Sequence, residues 1–134
     1  MGLKDNKRSF GVKRLVRSFF YAFRGIGEAF IGEQNIRIHV FCSLLVLLFG
    51  VFFNIDYFEW IVVLMLIGLV IMAEFFNTAI EHVTDICSPN ICKEAKFAKD
   101  ISAAAVLVIA LVSFIIGLII FVPKIILFVG GLLW

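Results

Sequence analysis

The sequence predicts an all-α membrane protein, a single domain over residues 1–134 in which an N-terminal amphipathic surface helix precedes three transmembrane helices. Of its 134 residues, 63% are hydrophobic, and the mean hydropathy is +1.10. A water-soluble domain of this length cannot bury so much apolar surface. Apolar runs long enough to cross a bilayer occupy about residues 38–55, 58–86 and 98–122. Three crossings therefore account for most of the chain.

The surface helix is predicted over about residues 10–31. Apolar side chains recur there at steps of three and four residues, at Val12, Val16, Phe19, Phe23, Ile26 and Phe30. Basic side chains occupy the other faces, at Lys13, Arg14, Arg17 and Arg24. This pattern is typical of a helix that lies in the membrane interface, held by apolar burial and by attraction to anionic lipid. The alternative is an ordinary packed helix with a solvated basic face.

Polar segments are expected to separate the three spans. A polar break over residues 32–39 precedes span one, and a short acidic turn joins span one to span two. Ser88 and Pro89 are expected to end span two. A charged connector leads to span three, which Pro123 is expected to close. The apolar tail 125–134 is too short to cross a bilayer, so it either lies at the outer interface or extends span three with a kink.

The basic residues predict the orientation in the membrane. Of the twelve Lys and Arg residues, all but Lys124 lie before span one or between spans two and three. Lys and Arg are enriched in the cytoplasmic loops of membrane proteins. The N-terminus and the second loop are therefore predicted to be cytoplasmic, and the first loop and the C-terminus to lie outside.

A polar stripe marks the cytoplasmic end of span two. Its members are Glu74, Asn77, Thr78, Glu81 and Asp85, spaced at i, i+3, i+4, i+7 and i+11. On a helix this spacing places them on one face. A carboxylate inside a bilayer costs about 2.5–3.5 kcal/mol, so ionisable residues at that depth are functional candidates. Glu74 is expected just inside the hydrocarbon edge, where it could accept a proton from a hydroxyl presented by a lipid.

Two further polar clusters are expected at the same depth in the membrane. The first lies near the end of the surface helix and the second at the start of span three; their members are Glu28, Glu33 and Arg37, then Lys99 and Asp100. Together with the stripe, they place the informative polar residues of the chain on the cytoplasmic side.

The residue types in these clusters fit the binding of a nucleotide and its metal. Glu33 and Glu81 could hold Mg²⁺ through oxygen atoms while the metal keeps water and nucleotide phosphates as its other ligands. Lys99 could neutralise phosphate charge, together with Arg14 or Arg17 of the surface helix.

This layout suits phosphoryl transfer from a soluble nucleotide to a lipid alcohol. The sequence has no GxxxxGK[ST] phosphate loop and no GxGxxG motif, so a nucleotide site would be built from helix side chains. Spacing alone leaves two alternatives open. The stripe could hold helices together through hydrogen bonds, with the small residues 102–105 as a packing face. It could also belong to an ion or proton pathway, although its acids cluster at one membrane edge.

The same motifs resemble those of the small bacterial integral-membrane lipid kinases, a family that includes diacylglycerol kinase and undecaprenol kinase. The family pattern is close to E-x-x-N-[ST]-A-I-E-x-x-x-D followed by A-K-D. In this chain the first part stands at residues 74–85 and the second at residues 98–100, at the separation expected. Glu33 in the segment GEQNIRIH is a further point of similarity. The resemblance covers nearly the whole chain.

The resemblance implies a homotrimer of three-span subunits in the bacterial plasma membrane, with active sites shared between neighbouring subunits. It makes Glu74 the general base and Asn77 a supporting polar group. It makes Glu33 and Glu81 ligands of Mg²⁺, with ATP as the co-substrate. The residues that it places in contact with ATP are Arg14, Tyr21, Glu33, Glu81, Lys99 and Asp100.

The lipid acceptor is predicted from differences within that family. Diacylglycerol-specific members tend to carry a Trp in the surface helix and an acidic residue just after the first loop, where this chain has Phe23 and His39. The sequence RIH at residues 37–39 is similar to the Gram-positive branch, whose usual substrate is undecaprenol. Undecaprenol is therefore the expected acceptor, and diacylglycerol is the alternative. Substrate contacts are expected from Arg14, Phe23, Glu74 and Lys99.

Overall fold

Four α-helices make up the described part of the chain. The structure is a computed structural model that describes residues 11–87 and 92–132. Its helices are α1 (Val12–Gly32), α2 (Gln34–Phe52), α3 (Tyr57–Cys87) and α4 (Lys93–Leu132). Of these, α2, α3 and α4 are long and apolar enough to cross a membrane. The predicted all-α architecture with three spans is therefore confirmed, while the helix end predicted at Ser88 and Pro89 lies outside the described residues.

α1 is a helix of 21 residues within a unit that ends at Gly32. Its apolar side chains, Phe19 and Phe23 among them, are exposed. Arg24 Nε donates a hydrogen bond of 2.8 Å to Glu28 Oε1 one turn further on, and this contact raises the pKa of the Arg24 guanidinium. The periodicity predicted a helix over these residues, and its position in the membrane interface stays a prediction.

The polar break before span one is much shorter than the sequence predicted. α2 already begins at Gln34, and Glu33 alone has extended backbone there, with φ −107° and ψ 121°. A helix pairs its own backbone N–H and C=O groups, so it can continue from the bilayer into water at little cost. The break predicted over residues 32–39 is therefore confined to Glu33, between the end of α1 and the start of α2. Ile36, only 1% exposed, anchors this first turn of α2.

A tight turn joins α2 to α3. Asn54 has a φ of 48°, a left-handed conformation that Asn tolerates better than most residues. Asp56 Oδ1 accepts hydrogen bonds from the N–H groups of Phe58 at 2.8 Å and Glu59 at 2.9 Å. Glu59 Oε2 accepts in return from the Asp56 N–H at 2.8 Å. This capping box satisfies N–H groups that the first turn of α3 would otherwise leave unpaired.

α3 is the central helix of the three spans. It packs against both α2 and α4, and more extensively against α4. Near the turn, Ile55, Val63 and Ile120 form a buried apolar cluster. Gly50 lies so close to α3 that a Cβ placed on it would be 2.8 Å from Cη2 of Trp60. A glycine at this position therefore lets α2 and α3 approach closely beside the turn.

α4 is longer than predicted at both ends. It begins at Lys93, so the charged segment that was expected to be a connector is helical, and Cys92 Sγ accepts a hydrogen bond from the Ala95 N–H at 3.3 Å. Pro123 lies inside the helix and does not close it, contrary to prediction. Unpaired backbone is costly in an apolar environment, and proline is tolerated in membrane helices. Residues 125–132 of the tail therefore extend span three, which is one of the two predicted alternatives.

The extension of α4 contacts the turn between α2 and α3. Lys124 Nζ lies 2.9 Å from Glu59 Oε2. The Phe128 ring packs edge-on against Phe52, with 5.4 Å between ring centroids, and against Phe53 at 6.0 Å. We call this region, with its capping box and its Lys124–Glu59 ion pair, the turn end.

Candidate active site

Buried polar residues gather at the opposite end of the three spans. Glu74 and Asn77 of α3 are 2% and 6% exposed, and Ser102 of α4 is 7% exposed. Thr78 is also buried. Such residues are rarely buried unless they have hydrogen-bond partners. We call this region, which also includes Glu33, His39 and Glu81, the acidic end.

α2 supplies the side chain that contacts Glu74. His39 Nε2 lies 3.0 Å from Glu74 Oε1, which is within hydrogen-bonding distance. The Glu74 side chain is 3% exposed and the His39 side chain 24%. A carboxylate buried without a partner is costly, so this contact helps to keep Glu74 in place.

A chain of hydrogen bonds links α4 to Glu81 through Asn77. Ser102 Oγ donates to Asn77 Oδ1 at 2.6 Å, and Asn77 Nδ2 donates to Glu81 Oε1 at 2.9 Å. Asn77 and Glu81 thus share one face of α3, as their spacing predicted. The chain fixes the orientation of Asn77, and Asn77 in turn orients one oxygen of Glu81.

Three carboxylates occur at the acidic end. Glu81 lies two helical turns beyond Glu74 on the same face of α3, and His82 follows it directly. Glu33 Oε1 lies 3.8 Å from Nε2 of His82, whose side chain is 72% exposed. Mg²⁺ prefers oxygen ligands, and it is usually bound by one or two carboxylates while it keeps several water molecules. Partly exposed carboxylates such as Glu33 and Glu81 suit this mode of binding. No group of three His, Cys, Asp or Glu side chains poised for a metal occurs within residues 11–87 and 92–132, and Mg²⁺ does not require one.

Lys99 and Asp100 lie on α4 next to the acidic end. Lys99 Nζ forms an ion pair with Asp85 of α3, and the two side chains are 35% and 66% exposed. Ion pairs as exposed as this one contribute little stability. A phosphate group could therefore compete with Asp85 for the Lys99 ammonium. Asp100 is exposed.

The remaining predicted contacts lie on α1. Arg14, Tyr21 and Phe23 are exposed there. The Tyr21 ring packs edge-on against Phe20, with 6.1 Å between centroids, and Ser18 Oγ donates to the Arg14 carbonyl oxygen at 3.0 Å. α1 is a unit by itself, so the nucleotide and lipid contacts of these residues stay predictions.

The sequence reasoning missed His39 as the partner of Glu74. His39 served there only to distinguish branches of the family. Counting outward from the turn between α2 and α3 would not have found the pair. His39 lies 14 residues before Phe53 and Glu74 lies 18 residues after Asp56, one helical turn further from the turn.

The fold and the site define a class of protein: a three-span helical membrane protein with one buried carboxylate and two partly exposed ones at the same end. Within that class, residues 20–121 match the family model described as prokaryotic diacylglycerol kinase. The chain belongs to the prokaryotic diacylglycerol kinase family. The family predicted from the motifs at residues 74–85 and 98–100 is therefore confirmed.

Several characterised members of this family are similar in sequence. An undecaprenol kinase of Bacillus subtilis is 39% identical over 116 residues, which cover 87% of this chain and 93% of that protein. A diacylglycerol kinase of Synechocystis is 35% identical over 76% of this chain and 59% of its own length. The diacylglycerol kinase of Escherichia coli K12 is 28% identical over 78% of this chain and 86% of its own.

Proposed function

We propose that this protein is an ATP- and Mg²⁺-dependent lipid kinase that phosphorylates undecaprenol to undecaprenyl phosphate. The observation that carries the proposal is the presence of a buried carboxylate, Glu74, and of the partly exposed carboxylates Glu33 and Glu81 at one end of three membrane-length helices. The undecaprenol kinase of Bacillus subtilis, similar over 87% of this chain, supports undecaprenol as the acceptor.

Glu74 is the general base in this proposal. The acceptor hydroxyl gives its proton to a Glu74 carboxylate oxygen as its own oxygen forms a bond to the γ-phosphorus of ATP. The bond between that phosphorus and the β,γ-bridging oxygen breaks, and ADP leaves with the electron pair. Burial suits this role because a carboxylate that water cannot reach is reserved for the proton of a bound hydroxyl.

Glu33 and Glu81 would hold Mg²⁺ in this proposal, and the ion would supply charge neutralisation at the transferring phosphate. The hydrogen bond from Asn77 to Glu81 supports this role because it leaves Glu81 with a fixed orientation. Lys99 then moves from Asp85 to phosphate oxygens, and Arg14, Tyr21 and Asp100 contact the nucleotide.

The protein works in the plasma membrane, with its N-terminus and acidic end in the cytoplasm, as a homotrimer whose active sites are shared between neighbours. The distribution of Lys and Arg supports this orientation. α1 lies on the membrane surface, where its apolar side chains meet lipid and Phe23 lies near the acceptor. The many exposed apolar side chains of α2, α3 and α4 are available to lipid and to neighbouring subunits.

Two other functions compete with this one. Diacylglycerol kinase activity is favoured by the names of the Synechocystis and Escherichia coli relatives, which are less similar than the undecaprenol kinase. A purely structural role is favoured by the Ser102–Asn77 hydrogen bond, which joins α3 to α4 as a helix-assembly contact would.

A side-by-side kinase assay decides among the three. Purified protein in mixed micelles receives Mg·ATP and either undecaprenol or diacylglycerol, and lipid phosphate is measured. We expect strong preference for undecaprenol. Preference for diacylglycerol would overturn the acceptor and leave the roles of Glu33, Glu74 and Glu81 standing. Absence of phosphorylation with both lipids would favour the structural role, and Asn77→Ala should then disrupt subunit assembly.

A further inference from the structure

We propose that His39 is a positioning residue: its imidazole holds Glu74 in the orientation that accepts the proton of the lipid hydroxyl. This inference rests on the function proposed above. It concerns how the base is held, and it adds a side chain from α2 to a site otherwise built on α3 and α4.

The geometry of the pair carries the proposal. His39 Nε2 lies 3.0 Å from Glu74 Oε1, so a proton on Nε2 is donated to an ionised Glu74. This contact joins the imidazole of α2 directly to the carboxylate of α3. One donor at Oε1 leaves the other carboxylate oxygen for a substrate proton. Without that donor, the carboxylate can rotate about its last side-chain bond.

The chemistry of the partner also distinguishes Glu74 from other carboxylates in the chain. Glu59 is paired with the ammonium of Lys124, and Asp85 with that of Lys99. A permanent cation beside a base makes it a poorer proton acceptor. A neutral imidazole can donate a hydrogen bond. His39 can therefore orient Glu74 and lower the basicity of its carboxylate less than a permanent cation would.

His39 also borders an apolar groove. The groove has a volume of about 430 Å³, is open on one side, and is lined by residues of α2, α3 and α4 that include Cys42, Val46 and Val70. Ser43 Oγ donates to the His39 carbonyl oxygen at 2.7 Å and adds a local bond to this part of α2. The His39 side chain therefore borders the groove and contacts Glu74. A smaller residue at this position would remove the contact to the carboxylate and widen the groove.

The test compares four proteins in bilayer nanodiscs with Mg·ATP and undecaprenol: wild type, His39→Ala, His39→Gln and Cys42→Ala. We expect His39→Ala to lower kcat on the order of 10- to 100-fold, because small misplacements of a reacting group cost that much. KM for both substrates should change by less than about threefold, since binding is not the function lost. His39→Gln should recover most of kcat because its amide donates a hydrogen bond from a similar position. Cys42 lines the same groove as His39 and has no proposed role in holding Glu74. The kcat of Cys42→Ala should therefore match that of wild type.

Each outcome decides the proposal. Unchanged kcat in His39→Ala, or a change confined to KM, would overturn it. Equal loss in folded His39→Ala and His39→Gln would also overturn it, because a hydrogen-bond donor would then not be what matters. If His39→Ala is not recovered folded, His39→Leu, which fills a similar volume without a hydrogen-bond donor, takes its place in the comparison with His39→Gln. A lower kcat in His39→Leu than in His39→Gln supports the role, and equal kcat in the two contradicts it. A wild-type protein inactive on every lipid alcohol would overturn the proposed function and this inference with it.

Discussion

Two carboxylates on the same helix, Glu59 and Glu74, are held in different ways. Glu59 sits in the first turn of α3, accepts a hydrogen bond from the Asp56 N–H and pairs with Lys124 at 2.9 Å. Its side chain is 22% exposed. Glu74 lies far along α3, has a side chain that is 3% exposed and contacts the imidazole of His39.

The difference separates a structural carboxylate from a candidate functional one. The N-terminus of a helix favours negative charge, and a full cation adds to that, so Glu59 is stabilised from two sides. Glu74 is far from the N-terminus of α3, it contacts an imidazole, and it is more deeply buried than Glu59. A buried carboxylate with one weak partner costs stability, and such a cost is typical of sites where a group is kept reactive.

The largest effect is expected from Glu74→Gln. Loss of a general base should lower kcat by about 10²–10⁴-fold. The glutamine carbonyl oxygen can still accept the hydrogen bond from His39, so folding should be retained. The measurement is initial rate of lipid phosphorylation, with nucleotide binding and thermal unfolding as controls. Turnover close to that of wild type would remove Glu74 from the mechanism.

A smaller effect is expected from Glu81→Ala, and it should be specific to the metal. Loss of a proposed ligand should raise the Mg²⁺ concentration for half-maximal activity by at least about tenfold, the range seen even for groups that only support a ligand. Activity should return in part at high Mg²⁺. Glu94→Ala removes an exposed carboxylate from the first turn of α4 and serves as the control. The same Mg²⁺ dependence in both variants would exclude Glu81 as a ligand.

At the turn end, Gly50→Ala should lower stability and leave the chemistry intact. The added Cβ would lie 2.8 Å from Trp60 Cη2 and 3.1 Å from Ile55 Cδ1, so the ring and its neighbours must move. Such overpacking costs about 1–3 kcal/mol. Gly68→Ala is the control because, apart from its chain neighbours and the nearby backbone of its own helix, no described atom lies within 4 Å of its Cβ position. Thermal unfolding in detergent measures both, and equal midpoints for the two variants would contradict the close packing.

The smallest effect is expected from Glu59→Gln. Glutamine can replace glutamate in the capping box, so the change removes chiefly the ion pair with Lys124. A partly exposed ion pair contributes about 0.2–1 kcal/mol. The unfolding midpoint should fall slightly and kcat per folded protein should stay unchanged. A large loss of turnover would show that the two ends of α3 are coupled.

Much of this fold followed from local rules in the sequence. Three apolar runs predicted the three membrane-length helices. The four-residue spacing of Asn77 and Glu81 predicted that they share a helix face, and a hydrogen bond joins the two side chains in the structure. Helix ends were less predictable. Pro123 was expected to close span three, because proline removes a backbone donor, yet the apolar tail favours continued helix over unpaired backbone.

Contacts between helices could not be derived in the same way. The pairing of His39 with Glu74 depends on how α2 and α3 are aligned, and that alignment is set by the turn at Asn54 and by the close approach at Gly50. Likewise, Ser102 was predicted to lie on a packing face, but its partner Asn77 depends on the alignment of α3 and α4. Sequence periodicity gives the face of a helix and not its neighbour.

The most direct test of the account is a crossed comparison of Glu74→Gln and Glu59→Gln in the same bilayer, with undecaprenol phosphorylation and unfolding measured on each preparation. The account predicts that Glu74→Gln loses nearly all turnover while its unfolding midpoint does not fall. It predicts that Glu59→Gln keeps its turnover and unfolds at a slightly lower temperature. Full turnover in Glu74→Gln, or loss of turnover in both variants to the same extent, would contradict the assignment of Glu74 as the base.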